Sequence, residues 1–382
     1  MIKKRWIWIA AIVPGLFILV YLIYYGGSTN LASLTYRKST LIKNQQDLQP
    51  EKLPDYHPRK TLWTIIQQMD KNNLAAVSEL ARREIDAGRG QPVYHLYLGR
   101  AYEGEGKIDL AFAEWENSGN EQEVYNSAQR LLQKKQLDDA IRILNLSLAK
   151  WPASIYRSNW LFELGEGYFG NRQWDLAAAA YLQVVTDPGL DIRVRTLAYI
   201  DAGSAVYSAG KGYQESEGLI MKGILNEPDY YKGYESLGAI LRKEGRNQEA
   251  KAMYAKAAKR DPQNPWLVVS QIDISMGNDQ WDEAKDLIDY GIKEFPTQPH
   301  FYYLLAVWFG HAENLDEAIT AAQKSISLDS ANNLGYRENL AGLYERQGKF
   351  KEAFNLCQQI LTIDASNKTA LDCITRLEQK AR

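Results

Sequence analysis

Residues 232–265 read KGYESLGAILRKEGRNQEAKAMYAKAAKRDPQNP and decide the fold. In the first half, the i, i+3, i+4, i+7 spacing of one helical face is occupied by Tyr234, Leu237, Gly238 and Leu241. Gly245 interrupts this pattern, and Pro262 closes the stretch. In between, the spacing returns at Ala250, Tyr254 and Ala257. The stretch therefore predicts two short amphipathic helices, a unit that cannot bury its apolar face alone.

A small residue marks the second helix of each unit and recurs along the chain. It is found at Ala111, Ala140, Ala177, Ser216, Ala250, Ala284, Ala318 and Ala353. Three successive steps, from Ser216 to Ala318, are each 34 residues long. We predict eight clear units and one degenerate earlier unit within residues 58–365, because stacked units bury the apolar face that each one exposes. Residues 366–382 are expected to form a solvating cap helix.

This pattern resembles the tetratricopeptide repeat family. The family's Leu-Gly pair is matched by Leu98-Gly99, Leu164-Gly165 and Leu237-Gly238, and in the first two units Tyr102 and Tyr168 follow at the expected place. Ser275 departs from the pattern, because it replaces an aromatic residue. The resemblance implies an all-α, right-handed superhelical solenoid whose first helices line a concave docking groove.

The resemblance also implies which side chains line that groove, namely offsets two, five, nine and twelve of each unit. From these offsets we predict a peptide-binding site formed by Phe162, Glu166, Phe169, Asp201, Glu235, Trp266, Asp273 and Tyr303. The Lys, Asn and Arg clamp with which some family members grip an acidic peptide terminus is absent. A groove of aromatic and acidic residues suits an extended peptide with basic and apolar side chains. The alternative is that these are ordinary solvated or packing residues at helical spacing.

The N-terminal segment, residues 1–27, predicts a membrane anchor. Residues 6–25 contain no charged side chain, and 20 helical residues cross a hydrocarbon core about 30 Å thick. Lys3, Lys4 and Arg5 precede this span, so the positive-inside bias places the N-terminus in the cytoplasm and the body beyond the inner membrane. A cleaved signal peptide is the alternative, although its apolar region would be shorter. Residues 28–57 are polar, and we interpret them as a tether.

The composition argues against several other kinds of site. Lys and Arg number 45 against 47 Asp and Glu, so no basic surface for nucleic acid is predicted. Cys357 and Cys373 have neither a Cys-x-x-Cys spacing nor a histidine cluster, so we predict no metal site and no cofactor. The favoured interpretation of these cysteines is two buried apolar side chains. A disulfide between the last helices is the alternative.

Three functions are open from the sequence. The leading hypothesis is a single-pass, membrane-anchored scaffold that binds a protein or peptide partner, in bacterial envelope assembly, secretion or surface-polymer assembly. The alternative is an accessory subunit of a membrane enzyme complex, docked through the transmembrane helix. An enzyme, for example one that modifies glycans, is not favoured, because the chain has no nucleophile elbow, zinc-protease motif, phosphate loop or acid–base constellation.

Overall fold

In a computed structural model, residues 58–380 are described, and the chain divides into two compact units between Gly119 and Asn120. The first unit contains four α-helices and one π-helical turn, Ile85–Arg89. The helices are α1 (Pro58–Asp70), α2 (Leu74–Glu84), α3 (Pro92–Gly104) and α4 (Ile108–Ser118). Within this unit, α1 packs on α2, α2 on α3 and α3 on α4.

The second unit contains fifteen helices, which form seven pairs and a last single helix. They are α5 (Glu121–Gln133), α6 (Leu137–Lys150), α7 (Arg157–Gly170), α8 (Trp174–Val184), α9 (Ile192–Ser208), α10 (Tyr213–Asn226), α11 (Tyr231–Lys243), α12 (Asn247–Arg260), α13 (Pro265–Gly277), α14 (Trp281–Glu294), α15 (Pro299–His311), α16 (Leu315–Leu328), α17 (Leu334–Arg346), α18 (Phe350–Ile363) and α19 (Lys368–Lys380). Each packs on its successor, which gives a helical solenoid. Residues 58–380 contain no strand, so the all-α prediction is confirmed for them. The right-handed twist stays a prediction.

The turn inside every pair contains at least one residue with a positive φ. In the α11–α12 turn this residue is Gly245, at φ +73°. The Gly245 amide donates to the Arg242 carbonyl at 3.1 Å, and the Arg246 amide donates to the Leu241 carbonyl at 2.9 Å. These bonds satisfy carbonyls that the end of α11 leaves free. The other eight turns use Asn72, Gly106, Lys135, Arg172, Gly210, Asp279, Glu313 and Gly348.

Small residues allow the two helices of a pair to approach closely. A β-carbon added to Gly238 would stand 3.3 Å from the Ala250 carbonyl oxygen and 3.3 Å from the Tyr254 ring, as the sequence predicts for a close helix contact. Ser216 replaces the usual alanine, and its hydroxyl donates to the Gly203 carbonyl at 2.8 Å. The buried hydroxyl is therefore satisfied at this departure from the repeat pattern.

The two cysteines form a disulfide that joins α18 to α19. Cys357 and Cys373 are both buried, and their α-carbons are 6.5 Å apart. The favoured sequence interpretation of two unpaired side chains is therefore wrong. Their spacing of 16 residues gave no hint of pairing, because only the packing of α19 against α18 brings the two β-carbons together.

The predicted anchor and tether, residues 6–25 and 28–57, lie outside the residues that the structure describes. Among residues 58–380, no helix combines the length and the apolar character needed to cross a membrane.

Candidate peptide-binding groove

All eight residues predicted to line the groove lie in the second unit, on the first helices of five successive pairs. Helix α7 carries Phe162, Glu166 and Phe169, α9 carries Asp201, α11 carries Glu235, α13 carries Trp266 and Asp273, and α15 carries Tyr303. The groove face is the face of the first helices from α7 to α17 that includes these eight residues. It divides into an acidic segment on α7 and α9 and an aromatic patch on α13, α15 and α17.

The acidic segment consists of Glu163, Glu166 and Asp201. Burial, and then the negative charge of Glu166, raise the pKa of Asp201 to about 7. Within residues 58–380, the Asp201 carboxylate has no hydrogen-bond partner and no ion pair within 4 Å, although Lys232 attracts it from a longer distance. This carboxylate is held partly out of water without a direct counter-ion.

Glu163 and Glu166 are anchored by neighbouring polar groups. Gln129 on α5 donates to Glu163 at 3.0 Å, and burial raises the pKa of this carboxyl. The Tyr181 hydroxyl on α8 donates to Glu166 at 2.5 Å. Burial, followed by the Glu166 charge, raises the pKa of Tyr181, so the phenol stays protonated and remains a donor.

Two predicted site residues, Phe162 and Phe169, are half-buried and contact aromatic rings of the paired helix α8. The Phe162 ring meets the Tyr181 ring edge-on at 5.5 Å, and the Phe169 ring meets the Trp174 ring edge-on at 4.9 Å. Part of the surface of both phenylalanine rings is therefore covered by helix packing.

The aromatic patch consists of Trp266, His300, Tyr303 and Tyr336. The His300 ring lies at its centre, with ring-centroid distances of 5.3 Å to Trp266, 5.3 Å to Tyr303 and 6.0 Å to Tyr336. His300 Nδ1 is 3.2 Å from the Tyr336 hydroxyl oxygen. Burial lowers the pKa of His300 in spite of the nearby Asp273, so the imidazole is neutral at neutral pH. Trp266 is 52% exposed and offers a free aromatic face.

Charged pairs occupy the face between the two regions. Lys232 Nζ lies 3.1 Å from a Glu235 carboxylate oxygen. A guanidinium nitrogen of Arg242 lies 3.7 Å from an Asp273 carboxylate oxygen, too far for a hydrogen bond. Burial raises the pKa of Asp273, and the charge of Arg242 opposes that rise. Asp273 is therefore only loosely paired.

The structure brings Trp266, Tyr303 and Asp273 into one neighbourhood, and it brings Glu166 close to Asp201. The offsets used for the sequence prediction did not include Glu163 or Tyr336. Glu163 is revealed only by its contact with Gln129 on the preceding first helix, α5. His300 occupies one of the offsets, and only the contacts reveal it as the centre of the patch. No cluster of three His, Cys, Asp or Glu side chains suited to a metal ion occurs among residues 58–380.

Two segments of the second unit match family models, and both models are described as tetratricopeptide repeat. They are residues 241–307 and residues 337–370. These two segments therefore have the sequence pattern of tetratricopeptide repeats (TPRs). Trp266, Asp273, His300 and Tyr303 lie inside the first matched TPR segment. TPR arrays are scaffolds suited to protein–protein interaction, and they bind protein or peptide partners along extended surfaces.

Solved structures of other TPR proteins resemble the chain loosely. A TPR protein from Parabacteroides merdae ATCC 43184 is 13% identical over 67% of this chain and 98% of its own, with a TM-score of 0.49. The C-terminal part of a TPR protein from Cytophaga hutchinsonii is 15% identical over 65% of this chain and 99% of its own, with a TM-score of 0.47. Yeast Tom70 is 12% identical over 84% of this chain and 88% of its own, with a TM-score of 0.41. No curated protein sequence matches the chain significantly.

Proposed function

We propose that the chain is a membrane-anchored TPR scaffold that binds an extended segment of a partner protein along its groove face. The observation that carries the proposal is the half-exposed ring of Trp266 against the His300 ring, beside the loosely paired Asp273. Large exposed aromatic side chains fixed by their neighbours are typical anchors of protein interfaces, because they bury much area at a low entropic cost.

The anchor belongs to the same proposal. Residues 6–25 are long enough to span a bilayer, and the basic residues before them favour an N-terminus in the cytoplasm. The disulfide between Cys357 and Cys373 supports a body on the oxidising side of the membrane, because disulfides persist outside the cytoplasm. We infer a role in the cell envelope, in secretion or in surface-polymer assembly, where a tethered scaffold would hold a partner near the membrane.

The test is affinity capture from solubilised native membranes with the full-length chain as bait. A Trp266→Ala, Tyr303→Ala double variant is compared with wild type, and Tyr290→Ala is the matched control. Tyr290 is 47% exposed but lies on α14, a second helix outside the groove face. We expect a partner that the control retains and the double variant loses. A partner captured equally by all three proteins would overturn the groove assignment.

A second function follows from the small residues in the anchor. Ala10, Ala11 and Gly15 could let residues 6–25 pack laterally on another membrane helix, as an accessory subunit of an enzyme complex would. Replacing this span with an unrelated one separates the two functions. Groove binding would survive the exchange, whereas docking through the helix would be lost.

A further inference from the structure

The acidic segment of the groove face carries an excess of negative charge. At the acidic segment, the carboxylates of Glu163, Glu166 and Asp201 lie near one another, and Lys232 is the cation that acts on Asp201. Lys232 is engaged with Glu235, so the uncompensated charge lies mainly at the acidic segment.

The aromatic patch supplies a second feature that fits a cation. A guanidinium stacks favourably on a tryptophan face, more strongly so when a carboxylate lies nearby. Trp266 offers that face, and Asp273, one of whose oxygens is 3.7 Å from Arg242, has hydrogen-bonding capacity left for a better-placed donor. His300 is neutral at neutral pH, because its pKa is lowered, and it therefore does not repel a cation.

The distance between the two regions determines how far apart two side chains of a bound peptide would be. Asp201 lies on α9 and Asp273 lies on α13, which are first helices two pairs apart in one solenoid. At roughly 10 Å per step the two helices are about 20 Å apart, a length that an extended peptide covers in about six residues.

We propose that the partner segment is an extended peptide with two cationic side chains about six residues apart. One side chain enters the acidic segment at Asp201. The other is an arginine at the aromatic patch, between the exposed Trp266 ring and Asp273, which lies two turns further along α13. This inference rests on the proposed function, because it names the chemistry of the segment that the groove face binds.

Proton linkage gives an independent readout. Asp201 faces Glu166 from α7, Tyr181 from α8 and Lys232 from α11, and its pKa is raised to about 7. A bound cation favours the ionised form and lowers that pKa, so binding near pH 7 releases a proton. Affinity is therefore highest above pH 7 and falls as the pH decreases from 8 to 6.

The experiment measures fluorescence anisotropy with the full-length chain in detergent. The probes are labelled Gly/Ser peptides that carry two arginines with zero to ten intervening residues, and a peptide with two glutamates is the negative control. We expect the tightest binding when the arginines are about six residues apart. Asp201→Asn and Asp273→Asn should each lower the affinity for that peptide at least fivefold, and Asp201→Asn should remove the pH dependence of this affinity. Asp286→Asn, an exposed side chain on α14, is the matched control and should change nothing.

The outcomes separate this inference from the proposed function. The cationic-peptide inference would be overturned if affinity did not depend on the arginine spacing, or if it were unchanged in both aspartate variants. Either result would mean that the peptide binds by non-specific electrostatic attraction. If the native partner is still lost with the Trp266→Ala, Tyr303→Ala variant, the groove function stands and only the chemistry of the partner is different. If the native partner is retained by that variant, the groove function itself falls. Circular dichroism of each variant excludes unfolding as the cause of a loss.

Discussion

The acidic segment and the aromatic patch lie on the first helices of the same solenoid, yet their side chains are satisfied in different ways. In the aromatic patch the rings pack on one another, with centroid distances between 5.3 and 6.0 Å. In the acidic segment, Asp201 is held partly out of water with no direct partner among residues 58–380. The backbone supplies equivalent positions in each repeat. The chemistry of the side chains at these positions differs from one repeat to the next.

Reduction of the disulfide should produce the largest difference in local stability between the two regions. Closing a loop of this length stabilises a protein by about 3 kcal/mol, and Cys357 and Cys373 share a core cluster with α17, which carries Tyr336. Since repeats depend mainly on their neighbours, reductant should lower hydrogen-exchange protection in α17–α19 and leave α7–α9 unchanged. A Cys357→Ala, Cys373→Ala variant should not respond to reductant. Equal loss of protection in both regions would contradict this local effect.

The next largest effect concerns the packing beneath the acidic segment. A β-carbon on Gly165 would stand 2.5 Å from the Tyr181 ring, whose hydroxyl holds Glu166. Gly165→Ala should therefore destabilise the protein by about 1–3 kcal/mol, measured by thermal unfolding. Gly218→Ala is the matched control, because nothing lies within 4 Å of its added β-carbon. That control should be neutral or stabilising by up to about 1 kcal/mol. Equal effects would mean that Tyr181 moves aside easily.

Trp266→Ala should separate binding from stability. Because half of its ring is exposed, we expect a change within about 0.5 kcal/mol in the free energy of unfolding, but at least a roughly tenfold loss of partner affinity. Phe162→Ala should do the reverse, since that ring packs on Tyr181. Titration of the captured partner and thermal melts of both variants provide the measurement. A large loss of stability in Trp266→Ala would reassign the tryptophan to the core.

The smallest effect is a gain in stability. The pKa of Asp201 is raised in the folded state to about 7, so the folded chain binds a proton more tightly than the unfolded chain does. Its contribution to stability is therefore present below pH 4 and is lost as the pH rises towards 7. Asp201→Asn removes the buried charge, and it should raise the melting temperature at pH 8 by about 2–4 °C for each kcal/mol gained. At pH 4 the gain should disappear. A destabilised variant at pH 8 would show that the carboxylate is compensated.

The sequence predicted the helix pairs because their packing uses local spacing. The placement of Gly238 against Ala250, and the left-handed turn at Gly245, follow from residues close in the chain. The candidate site stays a prediction, and the structure shows only where its residues lie. Trp266, Asp273 and Tyr303 lie in one neighbourhood. Phe162 and Phe169 instead contact the rings of Tyr181 and Trp174 on α8. Glu163 and Tyr336 were not among the predicted residues. A period of 34 residues indicates which helix face a side chain occupies, but it does not indicate which neighbour the side chain meets.

The sequence by itself determined the all-α repeat, the small residues between paired helices and the apolar N-terminal segment. Each of these is a pattern of composition or short-range spacing, and helical geometry converts such a pattern directly into structure. The tertiary structure alone decided that Cys357 meets Cys373, that His300 lies at the centre of four rings and that Asp201 has no direct counter-ion. These outcomes depend on how neighbouring helices pack, and therefore on distances and burial that sequence spacing does not specify.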